Sequence, residues 1–221
     1  MSQNVLIPNS DTDLLAGLDM DFGGSLDPLG ATEIQSTRQP TARTFRREAR
    51  EQFKRGLKRE SLAEILPDKV MQGECVHVIS NGTFDYFSFI PLVLGWIGVA
   101  DSLHGSTWTL SRGNALDLLK YYDEVKIKSI TLATGNYFLK RESAVAATII
   151  EGLAARGQRF KAWENHSKII LMSNEATGDY YAIEGSANWT ANPRTEQNMI
   201  ANDRALFEFH RGWLEGMFNE K

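Results

Sequence analysis

The stretch HSKIILMSNEATGDYYAIEGSAN, running from His166 to Asn188, decides how this chain is read. Two apolar runs, HSKIILMS and DYYAIEGSAN, flank NEATGD, whose Asn, Gly and Asp are turn formers, so the segment predicts an antiparallel hairpin. Successive strand side chains point to opposite faces. His166, Lys168, Ile170 and Met172 therefore share one face, and Ser167, Ile169 and Leu171 the other. An imidazole and an ammonium are thus expected side by side where the strand begins. The second run ends in EGSAN, where Gly185 permits close backbone approach and Ser186 and Asn188 add short hydrogen-bonding groups. Glu196, in NPRTEQN eight residues beyond Asn188, brings a carboxylate within reach of the same cleft.

Upstream, short apolar runs alternate with longer amphipathic ones. CVHVIS, GSTWTL, KSITLATG and QRFKAW read as strands; the Phe87–Gly98 run, GNALDLLKYYDEV and RESAVAATIIEGLAARG read as helices. A terminal helix, RALFEFHRGWLEGMF, follows the hairpin. This order predicts an α/β fold with a mixed, largely parallel β-sheet flanked by helices on both faces. Sites in such sheets gather at the carboxyl ends of strands, which singles out the polar clusters SNGTFD, STWT and TGNYF. Asn81, Asp85, Thr107 and Thr134 are candidates for cleft residues or for loop caps. Trp108, Tyr137 and Trp189 are candidates for stacking on bases or for packing. His77 is expected in the core, His210 in a structural role on an apolar helix, and His104 in a loop.

The 221 residues, 42% hydrophobic, suffice for one substantial domain. A net charge of -4 argues against general cationic coating of nucleic acid but permits a local basic cleft. The single cysteine, Cys75, allows neither an internal disulfide nor a thiolate zinc site, which suits the cytoplasm. Residues 1–43, rich in Asp, Gly, Ser, Thr and Pro, are expected to be a disordered acidic and polar tail, with DLLAGLDM either a docking helix or inert. Residues 44–70 form a basic helical segment, its charge available for phosphate contact or simply solvated, with Phe53, Leu57, Leu62 and Ile65 as an apolar side. Residues 71–221 are the α/β domain. FSFIPLVLGWIGVA is too short for a comfortable membrane span and reads as a buried helix, so no membrane partner is expected.

The residue types at the hairpin suit phosphoryl chemistry without a metal or other cofactor. Neutral histidine attacks phosphorus, lysine and asparagine hold non-bridging oxygens, and a carboxylate orients the imidazole. HSK before an apolar run, then GSANWT, then EQN ahead of an aromatic-rich helix, resembles the phospholipase D superfamily pattern H-x-K-x-x-x-x-D, G-S-x-N and a downstream Glu. The resemblance spans roughly Cys75 to Phe218. It implies a nucleophile forming phosphohistidine at His166, phosphate holding by Lys168 and Asn188, the motif serine at Ser186, and a histidine-supporting carboxylate at Glu196. The motif aspartate falls on Ser173, with Glu175 and Asp179 nearby in the turn; the family's tyrosyl-DNA phosphodiesterases also lack that aspartate.

Family members use two such motifs, and this chain carries one, which is similar to the small bacterial endonucleases of the superfamily that pair their motifs across a two-fold axis. The resemblance therefore implies a homodimer acting on nucleic acid, most naturally DNA. NGTFDYFSF, STWT and GSANWTANPRTEQN also resemble members encoded by bacteriophages and prophages. Two further readings stand beside the nuclease: a non-catalytic nucleic-acid-binding or scaffold module with a degenerate site, and a phospholipid hydrolase.

Overall fold

The computed structural model describes residues 62–66, 68–80, 82 and 84–220. The tail expected over 1–43 with its candidate docking helix, the basic segment up to residue 61, and Asn81 lie outside the described residues. The described end of the basic segment is a helical turn over residues 62–65, and Leu62 and Leu66 are buried in the main core.

Among the described residues seven strands form one sheet: β1 (Cys75–Ser80), β2 (Ser102–Thr107), β3 (Ile130–Gly135), β4 (Arg159–Trp163), β5 (Ile169–Asn174), β6 (Asp179–Gly185) and β7 (Glu196–Asn202), in the order β1-β7-β6-β5-β2-β3-β4. The helices are α1 (Phe89–Ile97), α2 (Arg112–Asp123), α3 (Asn136–Arg141), α4 (Ser143–Ala154) and α5 (Arg204–Asn219). The sheet is mixed and flanked by helices, as expected, but it is not largely parallel. Only β2-β3 and β3-β4 run parallel, while β1-β7, β7-β6, β6-β5 and β5-β2 are antiparallel. Parallel neighbours need a crossover of a dozen or more residues, usually helical. Among sheet neighbours, only β2-β3 and β3-β4 are joined by one, through α2 and through α3 with α4; the crossover through α1 joins β1 to β2, which are not adjacent.

Strand alternation divides the core. Val78, Leu103, Leu132, Ile170, Met172, Ile183 and Ile200 pack under α1, α2 and α4. Ile169, Leu171, Tyr180 and Ala182 face Phe207 and Leu214 of α5. Helix α1 is apolar nearly all round, and Pro91 sits in its first turn, where a missing N–H costs no helical bond. Ser111 caps α2 by accepting from Asn114 N (3.2 Å), and Asp203 caps α5 by accepting from Leu206 N (2.9 Å).

The histidines fall differently from expectation. His77 is exposed, because β1 is an edge strand and the face carrying Cys75, His77 and Ile79 lies beyond the cover of α5. His104 belongs to β2, not a loop, and is buried with Nε2 3.3 Å from the Glu215 carboxylate. His210 is structural as expected, held by Glu184 and by Trp213 Nε1, which donates to Nδ1 (3.0 Å).

The antiparallel partners bring the ends of many strands to one edge. The registers Ser106↔Ile169 and Gly185↔Asn198 place the carboxyl ends of β2 and β6 beside the amino ends of β5 and β7. Strand β3, parallel to β2, ends there too.

Candidate active site

His166 and Lys168 precede β5, which begins at Ile169, so they are not paired strand residues as alternation predicts. They nevertheless meet: Lys168 Nζ lies 2.9 Å from His166 Nδ1 and 2.5 Å from His166 O. The segment is fixed by the residues on either side of the histidine. Asn165 Nδ2 donates to Ser106 Oγ (2.9 Å), Ser167 Oγ donates to Asn165 Oδ1 (2.7 Å), and the two serine hydroxyls are 2.6 Å apart. Ser167 N also donates to Asn165 Oδ1 (3.0 Å). This closed set ties the segment to the end of β2 and leaves His166 exposed beside Trp108, at 5.8 Å between ring centroids. Gly135 makes room for it: a Cβ there would come within 2.6 Å of Trp108 Cδ1 and 2.9 Å of Asn165 O.

Lys168, by contrast, is 7% exposed. Its carbonyl accepts from Gly185 N (3.3 Å) and lies 3.2 Å from Tyr86 Oη, a hydroxyl shared with Ile183 O at 2.7 Å. Burial pushes the Lys168 ammonium below its ordinary pKa, and the negative charge of Glu196 opposes that shift. Lys168, Gly185, Gln197, Asn198 and His210 line a cavity of about 510 Å³. Among the described residues Asn198, at 4% exposure, has both Oδ1 and Nδ2 without a hydrogen-bond partner. A buried amide in that condition is costly unless a ligand completes it. Gly185 fulfils the close approach expected of it, since a Cβ would come within 2.3 Å of Asn198 Oδ1.

Glu196 begins β7, a strand the sequence pattern did not reveal. Its carboxylate accepts from Ser186 Oγ and from Asn192 Nδ2 (2.7 Å). Among the described residues it makes no hydrogen bond to His166 and acts on the site through the field it exerts on Lys168. Asn188 stands apart from the Lys168 cavity. It lines a second one with Trp108 and Tyr137, its Oδ1 buried and unpartnered. The structure thus joins His166 to Lys168, and Ser186 to Glu196, while Lys168 and Asn188 border different concavities.

The remaining candidates resolve into packing and capping. Trp189 is fully buried against Phe87. Thr107 is buried, donates to Thr109 O (2.9 Å) and accepts from Trp189 N (3.3 Å). Asp85 accepts from Ser88 Oγ (3.1 Å) and Asn114 Nδ2 (3.4 Å). Thr134 is buried with its hydroxyl unpartnered. Sequence reasoning missed Ser106, Asn165 and the role of Asn198; the last lies inside the EQN triplet, where a polar residue two positions after Glu196 on the same strand face was the available signal.

No family model matches the chain, and no curated protein matches it. Solved structures do resemble it. A phospholipase D family member, Nuc from Salmonella typhimurium, is 14% identical, with a TM-score of 0.48 over 66% of this chain and 95% of that one. Polyphosphate kinase from Porphyromonas gingivalis is 9% identical, with a TM-score of 0.49 over 78% of this chain and 30% of that one. TrmBL2, an archaeal chromatin protein whose structure shows a novel mode of DNA binding, is 10% identical, with a TM-score of 0.45 over 99% of this chain and 74% of that one.

Proposed function

We propose that this protein is a phosphodiesterase of the phospholipase D type, acting on nucleic acid through a phosphohistidine on His166. The observation that carries the reading is the direct pairing of an exposed imidazole with a buried ammonium, beside the buried and unpartnered amide of Asn198. His166 meets Lys168, and Lys168 shares a cavity with Asn198; a nucleophile, a cation and an amide linked in this way are what a phosphodiester needs.

In the first step a His166 ring nitrogen attacks phosphorus. The new P–N bond forms as the P–O bond to the leaving group breaks, while Lys168 and Asn198 take the charge on the non-bridging oxygens. The leaving oxygen takes its proton from His166 of the partner subunit, brought in by a homodimer whose two motifs face one cleft. Water then attacks the phosphohistidine and returns a proton to that second imidazole, which releases the phosphomonoester and regenerates His166.

Hydrolysis of single- and double-stranded DNA in EDTA, run beside His166→Ala, tests the reading. Cleavage by the native chain with loss of at least about a thousandfold in the variant supports it; cleavage undiminished by the substitution refutes it. A strictly monomeric protein that keeps full activity would refute the shared cleft.

One observation favours a second reading, a binding module without turnover. Glu196 is engaged by Ser186 and Asn192 and, among the described residues, accepts no hydrogen bond from His166. Salt-dependent DNA affinity with no trapped phosphohistidine would select it.

A further inference from the structure

Trp108, the neighbour of His166, helps line a second concavity of about 500 Å³ with Arg112, Tyr137, Arg141, Asn188 and Thr190 among others. Trp108 and Tyr137 lie parallel, their centroids 4.8 Å apart and their planes within 5°. Trp108 is half-buried and pressed against Gly135, so the accessible ring of the pair is Tyr137, which is 43% exposed. Arg141 lies over that ring at its hydroxyl edge: its Nη1 donates to the Tyr137 hydroxyl (2.7 Å), and its guanidinium carbon is 5.6 Å from the ring centroid. Glu142, 3.9 Å from Arg141 Nε, offsets one of the two arginine charges. Asn188 adds an amide whose Oδ1 has no partner.

An aromatic pair with one accessible ring, a cation over its hydroxyl edge that can turn to a phosphate, and a polar amide beside it match the face, phosphate and edge of an unpaired nucleotide. The pair also abuts His166, through Trp108 at 5.8 Å. A base inside a duplex is covered on both faces by its neighbours and cannot stack there. We propose that the Trp108–Tyr137–Arg141 pocket is a nucleobase subsite that seats an unpaired base next to the phosphate at His166, which makes the substrate single-stranded nucleic acid. The inference rests on the phosphodiesterase reading and adds to it the strand preference and the residues that set it. The base extends the Trp108–Tyr137 stack, Arg141 meets the flanking phosphate, and Asn188 meets the base edge.

The test is fluorescence anisotropy of the full chain with a labelled single-stranded oligonucleotide, the same strand with abasic sites, and the matching duplex. The native protein is expected to bind the intact strand about tenfold or more tightly than the abasic one. Tyr137→Ala should erase that preference, and Tyr137→Trp should retain it. Equal affinity for intact and abasic strands, or a preference that survives Tyr137→Ala, overturns the subsite while hydrolysis dependent on His166 still stands. Absence of both binding and cleavage with every strand overturns the phosphodiesterase reading and the subsite together.

Discussion

The Lys168 ammonium lies 2.9 Å from Nδ1 of His166. An ammonium only donates, so Nδ1 accepts and the neutral ring carries its hydrogen on Nε2. Attack on phosphorus from Nε2 uses the other neutral tautomer, with the hydrogen on Nδ1, which can no longer accept from an ammonium, so Lys168 has to turn from the imidazole to the phosphate oxygens as substrate docks. Lys168→Met is accordingly expected to lower kcat/KM by about a hundredfold or more, measured in steady-state hydrolysis. Burial depresses the Lys168 pKa, so the ammonium is lost as pH rises through a value below that of an ordinary lysine. The native enzyme should lose kcat/KM on that alkaline limb. Lys168→Arg should remove the limb, because a guanidinium does not deprotonate there; a limb that persists in the Arg variant would assign it to another group.

On the proposed mechanism Asn165 is a positioning residue for His166. Its amide joins Ser106 to Ser167 on either side of His166. Asn165→Ala leaves the buried Ser106 hydroxyl and the half-buried Ser167 hydroxyl each one partner short and is expected to cost about 1–2 kcal/mol of stability. A merely structural role would stop there. Positioning predicts in addition a loss of tenfold or more in kcat with KM little changed, at temperatures well below unfolding, and partial recovery in Asn165→Asp, whose carboxylate still accepts from Ser167 but no longer donates to Ser106.

The hairpin was legible because its turn residues and apolar runs are local signals, and β5 and β6 appear where those signals place them. Strand β7 was not, because Glu196, Asn198 and Asn202 put polar groups on the face that Ile200 gives to the core. Asn202 is there to serve buried groups: it bonds Asp179, Val70 O and Tyr180 N. Without β7 the antiparallel half of the sheet is undercounted, which is why the pattern suggests a largely parallel one. The His166–Lys168 contact was legible as proximity but not in its cause. Asn165 and Ser106 are 59 residues apart, and no local pattern links them.

Ser173, at the motif aspartate position, bonds Ser102 across the β5–β2 pair (2.8 Å) at the opposite end of β5 from His166. Seven strand-length residues, roughly 20 Å, separate it from the nucleophile. Neither neighbouring acid takes up a place at the site: Glu175 accepts the Tyr180 hydroxyl, and Asp179 is bound by Lys69. Ser173→Asp is therefore expected to leave kcat within about twofold of native. Burying the new carboxylate should lower stability by about 2 kcal/mol or more, read in urea unfolding. A rise in activity of tenfold would show that the position reaches the chemistry.

Asp179 gives the fold a pH dependence at acid. It is almost wholly buried and accepts from Lys69 Nζ (2.7 Å), Thr177 Oγ1 (2.6 Å) and Asn202 Nδ2 (2.8 Å). Burial pushes its pKa up, but these donors outweigh burial and hold it below the usual carboxylate range. With the folded value below the unfolded one, the stabilisation is complete above about pH 4 and is lost as pH falls through the folded value. Asp179→Asn keeps the size but forfeits the charge, and is expected to cost about 3 kcal/mol near neutral pH by breaking a buried pair. Because the variant has no carboxylate to protonate, its urea midpoint should fall less than the native one between about pH 4 and pH 2. Parallel declines over that window would mean that another group, not Asp179, controls acid unfolding.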